Sequence, residues 1–132
     1  PVTRLHLELA GAYPPETAIR QLERTIEITA EPDELITVRD RIELERFDCQ
    51  PLINLLTPCQ IGLTGPGRVI LTGHCRRLRL EYDPELLDLD VSEQFLTDPR
   101  QSEALGSKLT RLCLTSRGEK LNYEYQLAFH PA

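Results

Sequence analysis

The sequence contains no Trp and no Met, and its aromatic residues are limited to four Tyr and three Phe. A protein surface that stacks sugar rings needs exposed aromatic side chains, so this composition offers little material for one. No apolar run reaches the roughly 18 residues of a membrane-spanning helix. The N-terminus also lacks the charged and apolar segments of a secretory signal. We therefore expect a soluble protein with no membrane partner.

The chain begins at Pro1 rather than at an initiator methionine, so we expect a fragment of a longer protein. Its 132 residues correspond to about one domain, and we predict that residues 1–132 form a single domain. A net charge of −6 argues against a nucleic-acid partner, which a basic surface would favour. With 40% hydrophobic residues, the chain can build one packed core and does not resemble a disordered polyelectrolyte.

The four cysteines are widely spaced and show neither a Cys-x-x-Cys pair nor the Cys/His spacing of a zinc site. They are Cys49, Cys59, Cys75 and Cys113. We predict no metal and no cofactor, and we interpret the cysteines as small buried side chains of a sheet protein. Their even number permits two disulfides without requiring them. The histidines also lie far apart, with His6 and His74 on polar faces of predicted strands, so no catalytic residue is assigned.

Apolar and polar residues alternate with a period of two along most of the chain, which is typical of strands with one buried face. Turn residues separate about ten such segments, and no segment has a convincing helical period. The segment 94–107 lacks alternation and contains Asp98-Pro99, so we predict a loop, or a strand followed by a loop. The predicted fold class is all-β: a two-layer antiparallel β-sandwich of about ten short strands.

The clearest hairpin is centred on Pro32. Apolar residues alternate along positions 22–28 before this turn and along positions 36–44 after it. Folding the chain symmetrically about Pro32 places Arg24 opposite Asp40, the charged residues that interrupt these two apolar faces. We predict that Arg24 and Asp40 form a partly buried structural ion pair, whose disruption from one side would be strongly destabilising.

The same symmetry predicts two further hairpins. In one, residues 78–82 face residues 87–91 across a turn whose proline suits the second position of a type I turn. In the other, residues 112–114 face residues 123–125 across a Gly-Glu pair, and a leading glycine is typical of a type II′ turn.

A basic stripe and a proline-rich turn supply the candidate glycan contacts. Arg77 and Arg79 share the polar face of their strand, where an acidic glycan or an acidic protein surface could bind. The second predicted hairpin places Arg79 opposite Asp90, so we favour cross-strand charge compensation. Asp88 and Asp90 are interpreted as the solvated face of an edge strand rather than as a Ca²⁺ site. Tyr13 is the third candidate glycan contact, although we favour the interpretation that it packs its own turn.

A series of short motifs follows a fixed order along the chain. They are Ala12-Tyr13-Pro14, Arg24-Thr25-Ile26, Ile36-Thr37-Val38-Arg39-Asp40, Leu56-Thr57-Pro58, Leu78-Arg79-Leu80-Glu81-Tyr82-Asp83-Pro84 and Leu109-Thr110-Arg111-Leu112. This order resembles the C-terminal β-rich region of heparinase II/III-like polysaccharide lyases, and the resemblance covers nearly the whole chain. One departure is Leu22, where the family often has a Trp two residues before the Arg.

The resemblance implies a bacterial parent enzyme in which a helical toroid precedes antiparallel β-sheet domains. Such lyases cleave uronic-acid-containing polysaccharides by β-elimination, with Tyr, His and Asn residues that lie before this region. Because none of those motifs is matched here, the implied role is an accessory domain that is not catalytic alone. Its partners would be the missing N-terminal part of its own chain and an acidic polysaccharide, in the periplasm or the cytoplasm. The alternative is an autonomous glycan- or protein-binding β-sandwich module.

Overall fold

The structure is a computed structural model that describes all residues from Pro1 to Ala132. Its ten strands are β1 (Val2–Glu8), β2 (Ile19–Thr29), β3 (Leu35–Leu44), β4 (Leu52–Thr57), β5 (Gln60–Gly65), β6 (Arg68–Thr72), β7 (Arg77–Glu81), β8 (Leu87–Phe95), β9 (Lys108–Ser116) and β10 (Asn122–Pro131). One α-helix, α1, spans Pro99–Leu105, and two short 3-10 helices span Ala10–Ala12 and Pro15–Thr17. The predicted all-β fold is confirmed. No helix is long and apolar enough to cross a membrane.

The strands form two antiparallel sheets that pack face to face. The large sheet has seven strands in the order β1-β2-β3-β10-β7-β6-β5, and the small sheet has three in the order β4-β9-β8. Two meanders, β1-β2-β3 and β5-β6-β7, form the halves of the large sheet, and β10 joins them. In the small sheet, β9 joins β4 and β8, the strands that follow the two meanders. The last two strands of the chain therefore occupy the centres of both sheets.

The predicted hairpin around Pro32 is confirmed. β2 pairs with β3 in the predicted register, with Arg24 opposite Asp40 and Ile28 opposite Ile36. This register is well specified because a shift by one residue would turn the apolar side chains of a strand to the polar face of the sheet.

The other two predicted hairpins are wrong. Residues 78–82 and 87–91 belong mainly to different sheets, because β7 pairs with β6 and β10 whereas β8 pairs with β9. β9 and β10 are likewise divided between the small sheet and the large sheet. The connections at positions 82–86 and 117–121 are therefore crossings between layers. Alternation identifies the buried face of a strand, but it does not tell whether that face meets a neighbour in its own sheet or in the opposite one.

The segment after β8 also differs from the prediction. β8 continues to Phe95, and α1 begins at Pro99 where a loop was expected. The Asp98 carboxylate caps this helix by accepting a hydrogen bond from the Arg100 backbone N–H at 2.8 Å. Proline fits the first turn of a helix because the N–H that it lacks would have no partner there. The Asp-Pro pair thus marks a helix start.

The cysteines are not the buried side chains that the sequence predicts. Cys49 and Cys75 are exposed, Cys59 and Cys113 are half-buried, and all four are free thiols. Of the four, only Cys113 lies in a strand, and the other three lie in connections between strands. His74 is also outside any strand, in the turn between β6 and β7.

The core is a cluster of thirteen buried side chains between the two sheets. The large sheet contributes Leu22, Ile42, Leu44, Val69, Leu71, Leu80, Tyr123, Tyr125 and Leu127, and the small sheet contributes Ile53, Leu87, Leu112 and Leu114. Five of these thirteen belong to β9 and β10, in agreement with the central position of both strands.

The turn between β5 and β6 packs against the point where the chain leaves β7 for the small sheet. Gly67 has a φ of 75°, and its carbonyl accepts a hydrogen bond from the Tyr82 N–H at 3.0 Å. A Cβ at position 67 would lie 2.5 Å from the Tyr82 carbonyl oxygen and 2.9 Å from Cδ of Pro84. Only glycine fits both the left-handed backbone and this close approach.

We expect Gly67→Ala to lower the free energy of unfolding by about 1–3 kcal/mol, because it adds backbone strain and forces the crossing away from the turn. Gly11→Ala is the matched control, since a Cβ there would meet no atom within 4 Å, and its effect should stay within about 0.5 kcal/mol. Urea unfolding measures both variants. An unchanged midpoint for Gly67→Ala would contradict the packing of this turn.

Candidate functional site

Asp40 is the one charged residue among the buried side chains, with 1% of its surface exposed. It lies in β3 between Arg24 of β2 and Tyr125 of β10, in one cross-strand row. Arg24 donates two hydrogen bonds to the carboxylate, from Nε to Oδ1 and from Nη2 to Oδ2, each 2.7 Å long. The Tyr125 hydroxyl donates a third to Oδ2 at 3.2 Å. We refer to Arg24, Asp40 and Tyr125 as the Asp40 row.

The Asp40 row contains the predicted ion pair and one residue that the sequence analysis did not assign to it. Arg24 and Asp40 meet because β2 and β3 form a local hairpin whose register can be read from the sequence. Tyr125 joins them from a strand 85 positions away from Asp40. The sequence holds one signal for the position of Tyr125, the alternation of Tyr123, Tyr125 and Leu127. This alternation places the three side chains on one face of the strand, but it does not identify the neighbouring strand.

The groups of the Asp40 row shift one another's ionisation. Hydrogen bonding to Asp40 raises the pKa of Arg24 above its usual value, although partial burial acts in the opposite direction. Burial raises the pKa of Tyr125 well above its usual value, and the nearby Asp40 carboxylate raises that pKa further. The phenol of Tyr13 adds a smaller effect that raises the pKa of both groups. Around neutral pH, a guanidinium and a protonated phenol therefore share the carboxylate.

This arrangement is suited to holding strands together rather than to proton transfer. A tyrosine that abstracts a proton must reach its phenolate form, and the raised pKa of Tyr125 disfavours that form. The Arg24 side chain is 31% exposed, but two of its nitrogen atoms already bind Asp40. Because the carboxylate compensates the guanidinium charge, Arg24 is a poor anchor for an external anion.

The inner face of the large sheet extends beyond the area that the small sheet covers. One cross-strand row on this face runs from β10 to β1 through Leu127, Val38, Ile26 and Leu5. The exposed fraction rises from 1% at Leu127 to 51% at Leu5. In the next row, Ile36 and Ile28 are 41% and 46% exposed. We refer to Leu5, Ile28 and Ile36 as the uncovered corner, because their side chains continue the apolar face beyond the core.

The three candidate glycan contacts do not come together. Tyr13 is half-exposed beside the Asp40 row, whereas Arg77 and Arg79 lie on the opposite, outer face of β7. Arg79 forms an ion pair with Glu81 of its own strand, with 2.7 Å between Nε and Oε1. The predicted compensation of Arg79 by Asp90 is therefore wrong, because β7 and β8 lie in different sheets. Arg77 borders a surface hollow beside the β6–β7 turn.

The two aspartates of β8, His6 and His130 lie in three separate places. Asp88 and Asp90 are exposed on the edge strand β8, as predicted. His6 lies on the outer face with its Nδ1 3.1 Å from Oγ1 of Thr25, and His130 lies beside Glu81 of β7. No group of three or more His, Cys, Asp or Glu side chains is arranged to hold a metal ion.

Comparison with protein-family models and with curated proteins gives no match to this chain. Its function is therefore inferred from the Asp40 row, from the uncovered corner and from the order of the sequence motifs.

We expect Arg24→Ala to lower the free energy of unfolding by about 3–5 kcal/mol, because the Asp40 carboxylate would stay buried with only Tyr125 as a partner. Asp40→Ala should have a similar cost, and the double variant should cost less than the sum, because both changes remove the same interaction. Arg39→Ala is the control: this exposed arginine on the outer face of β3 bonds Gln126, and its removal should cost about 0.5 kcal/mol or less. An Asp40→Ala midpoint equal to that of the unsubstituted chain would contradict the buried pair.

The raised pKa of Tyr125 predicts a loss of stability in alkaline solution. Because the folded state favours the protonated phenol, its contribution is fully present below the ordinary tyrosine value of about 10 and is lost as the pH rises above it. Tyr125→Phe should be less stable at neutral pH by about 1.5–3 kcal/mol, through loss of a hydrogen bond to a charged group. It should also lose less stability than the unsubstituted chain as the pH increases. Urea unfolding at a series of pH values tests both expectations, and parallel alkaline slopes would contradict them.

Proposed function

We propose that this chain is the C-terminal accessory β-sandwich domain of a heparinase II/III-like polysaccharide lyase. In this proposal the domain is inactive alone and packs against the preceding part of its own protein, which performs β-elimination on uronic-acid polysaccharides. The order of the sequence motifs supports the lyase assignment. The uncovered corner is the observation that carries the packing role.

The uncovered corner has the character of a docking surface. Single exposed aliphatic residues are common on proteins, but a group that continues the core face is typical of a surface that another element covers. Leu5, Ile28 and Ile36 share one face of adjacent strands and are 41–51% exposed. Covering the exposed part of each would contribute on the order of 1 kcal/mol.

The chemistry of the corner favours an apolar protein surface over a polysaccharide. Its side chains are aliphatic and offer no hydrogen bonds to sugar hydroxyls. Tyr123 and Tyr125 are buried, and the most exposed aromatic residue, Phe95 at 72%, belongs to the small sheet rather than to the corner. Because few aromatic side chains are exposed for stacking on sugar rings, a packing domain is a better interpretation than an autonomous glycan-binding module.

The polar groups of the chain support an inactive role. A β-elimination requires a group that neutralises the uronate carboxylate, a base for the C5 proton and an acid for the leaving oxygen. Within the Asp40 row, the charge of Arg24 is compensated and Tyr125 is held protonated. His6 and His130 lie on the polar face of the large sheet with separate partners. Neither the Asp40 row nor the surroundings of these two histidines combine the three roles.

We expect the chain to bind an apolar fluorescent dye while it is folded, because the corner presents contiguous aliphatic surface. The double variant Ile28→Glu with Ile36→Glu should remove most of this binding and keep the fold, since both side chains are already about half in water. Gln126→Glu adds a negative charge on the polar face of β10 and should leave dye binding unchanged. Circular dichroism checks the fold of each variant. Equal dye binding in all of these proteins would overturn the docking role of the corner.

The lyase assignment is tested with the full-length protein and with this chain alone, across a panel of uronic-acid polysaccharides. The ultraviolet absorbance of unsaturated uronate reports β-elimination. We expect activity in the full-length protein only, and we expect the Ile28→Glu, Ile36→Glu pair to lower its thermal stability. Activity in this chain alone, or silence of the full-length protein on every polysaccharide, would overturn the assignment.

A further inference from the structure

The outer edge of β1 carries unpaired backbone groups. Leu9 N–H donates to the Leu22 carbonyl at 2.8 Å, and Ala30 N–H donates to the Pro1 carbonyl at 3.3 Å. Because backbone groups alternate in direction along an antiparallel strand, the odd-numbered residues of β1 bond to β2. The N–H and C=O groups of the even-numbered residues therefore point away from the sheet. These residues are Val2, Arg4, His6 and Glu8.

The other three sheet edges carry features that discourage pairing. β5 contains two glycines and a register irregularity between Leu63 and Gly65. β4 is flanked by a proline at each end, Pro51 and Pro58. β8 carries several acidic side chains, which would repel a second copy. Prolines, bulges and charged side chains are the usual protection of an edge strand. Of these, β1 carries only the charges of Arg4 and Glu8, whose opposite signs can pair across an antiparallel contact.

We infer that β1 pairs in antiparallel fashion with β1 of a second copy of this chain, about a two-fold axis at His6. The two large sheets would then form one continuous sheet across the dimer. In this register the outward N–H and C=O groups of Arg4, His6 and Glu8 all find partners, because even-numbered residues face even-numbered residues. The contact is isologous: both copies use the same edge, so the assembly stops at a dimer.

The charges of β1 select this register. With His6 on the axis, Arg4 lies opposite Glu8 of the second copy, and the pair occurs twice. With Leu5 on the axis, Arg4 would face His6, and with Arg4 on the axis it would face itself. The Arg4 side chain is 66% exposed and touches Glu27 of its own chain through Nε at 3.2 Å. Its two terminal nitrogens stay available for Glu8 of the second copy.

The apolar face of β1 agrees with the same register. Leu5, which is 51% exposed, lies opposite Leu7 of the second copy, and this pair also occurs twice. Cross-strand aliphatic pairs stabilise a sheet in addition to its backbone hydrogen bonds. The inference is independent of the proposed lyase role, because it rests on the edge of β1 and not on what covers the face of the sheet.

His6→Pro tests the edge contact while sparing the monomer. Proline removes the outward N–H of His6, which takes no part in the pairing with β2, and an edge strand tolerates proline at such a position. We expect sedimentation equilibrium to show a monomer–dimer equilibrium for the unsubstituted chain. Its dissociation constant should rise by about 30-fold or more in His6→Pro, since each copy loses one hydrogen bond. His6→Ala is the matched control, because it loses the same side chain but keeps the N–H, and it should remain dimeric.

A charge exchange tests the register. Arg4→Glu and Glu8→Arg should each weaken the dimer, because each places like charges opposite one another. The double variant should dimerise more tightly than either single variant, but short of full recovery, because Arg4 also pairs with Glu27 of its own chain. Arg39→Glu makes the same charge change on a central strand and should leave the dimer intact. Thermal unfolding at low concentration checks that each monomer is folded. A monomer at every concentration, dimerisation of His6→Pro equal to that of His6→Ala, or a double variant that dimerises no more tightly than the single variants would overturn the inference.

Discussion

The buried carboxylate of Asp40 is the interaction on which the arrangement of the large sheet depends. It receives hydrogen bonds from Arg24 on one neighbouring strand and from Tyr125 on the other. A slip of β2 by one residue would move Arg24 to the outer face and leave the buried carboxylate with Tyr125 as its only partner, at a cost of several kcal/mol. A slip of β10 would remove the Tyr125 hydrogen bond in the same way. One charged group thus fixes the register of three strands, β2, β3 and β10, at the point where the first meander meets the end of the chain.

Only part of this three-residue interaction could be predicted from the sequence, because it joins a local hairpin to a strand far along the chain. The β2–β3 hairpin is local, so symmetry about Pro32 was sufficient to find the Arg24–Asp40 pair. Tyr125 and Asp40 are separated by 85 positions, and no turn connects their strands. The alternation of β7, β8, β9 and β10 correctly predicts their apolar faces, but it led to two false hairpins. Side chains that meet across a sandwich core have the same sequence pattern as side chains that meet across a turn.

The exposed features were harder to predict than the buried ones. Ile28 and Ile36 belong to the predicted apolar face, yet their exposure depends on the extent of the small sheet, which no local pattern records. The cysteines show the reverse error. As a residue type, cysteine favours burial, but Cys49 and Cys59 fall in crossings between layers and Cys75 falls in the β6–β7 turn. Side chains at these places face water or only the rim of the core. The average burial preference of a residue type does not predict its exposure when the residue lies in a connection between strands.

The uncovered corner is a consequence of the mismatch between seven strands and three. The Asp40 row shows that the inner face accepts a charge where partners surround it. At the corner there are no such partners, and the side chains are aliphatic although about half of their surface meets water. They add little to the stability of the isolated sandwich, and their aliphatic chemistry fits the apolar packing surface that we propose. The free edge of β1 points in the plane of the sheet and the corner points along its normal, so the proposed dimer and the proposed packing surface approach β1 from different directions, with Leu5 contributing to both.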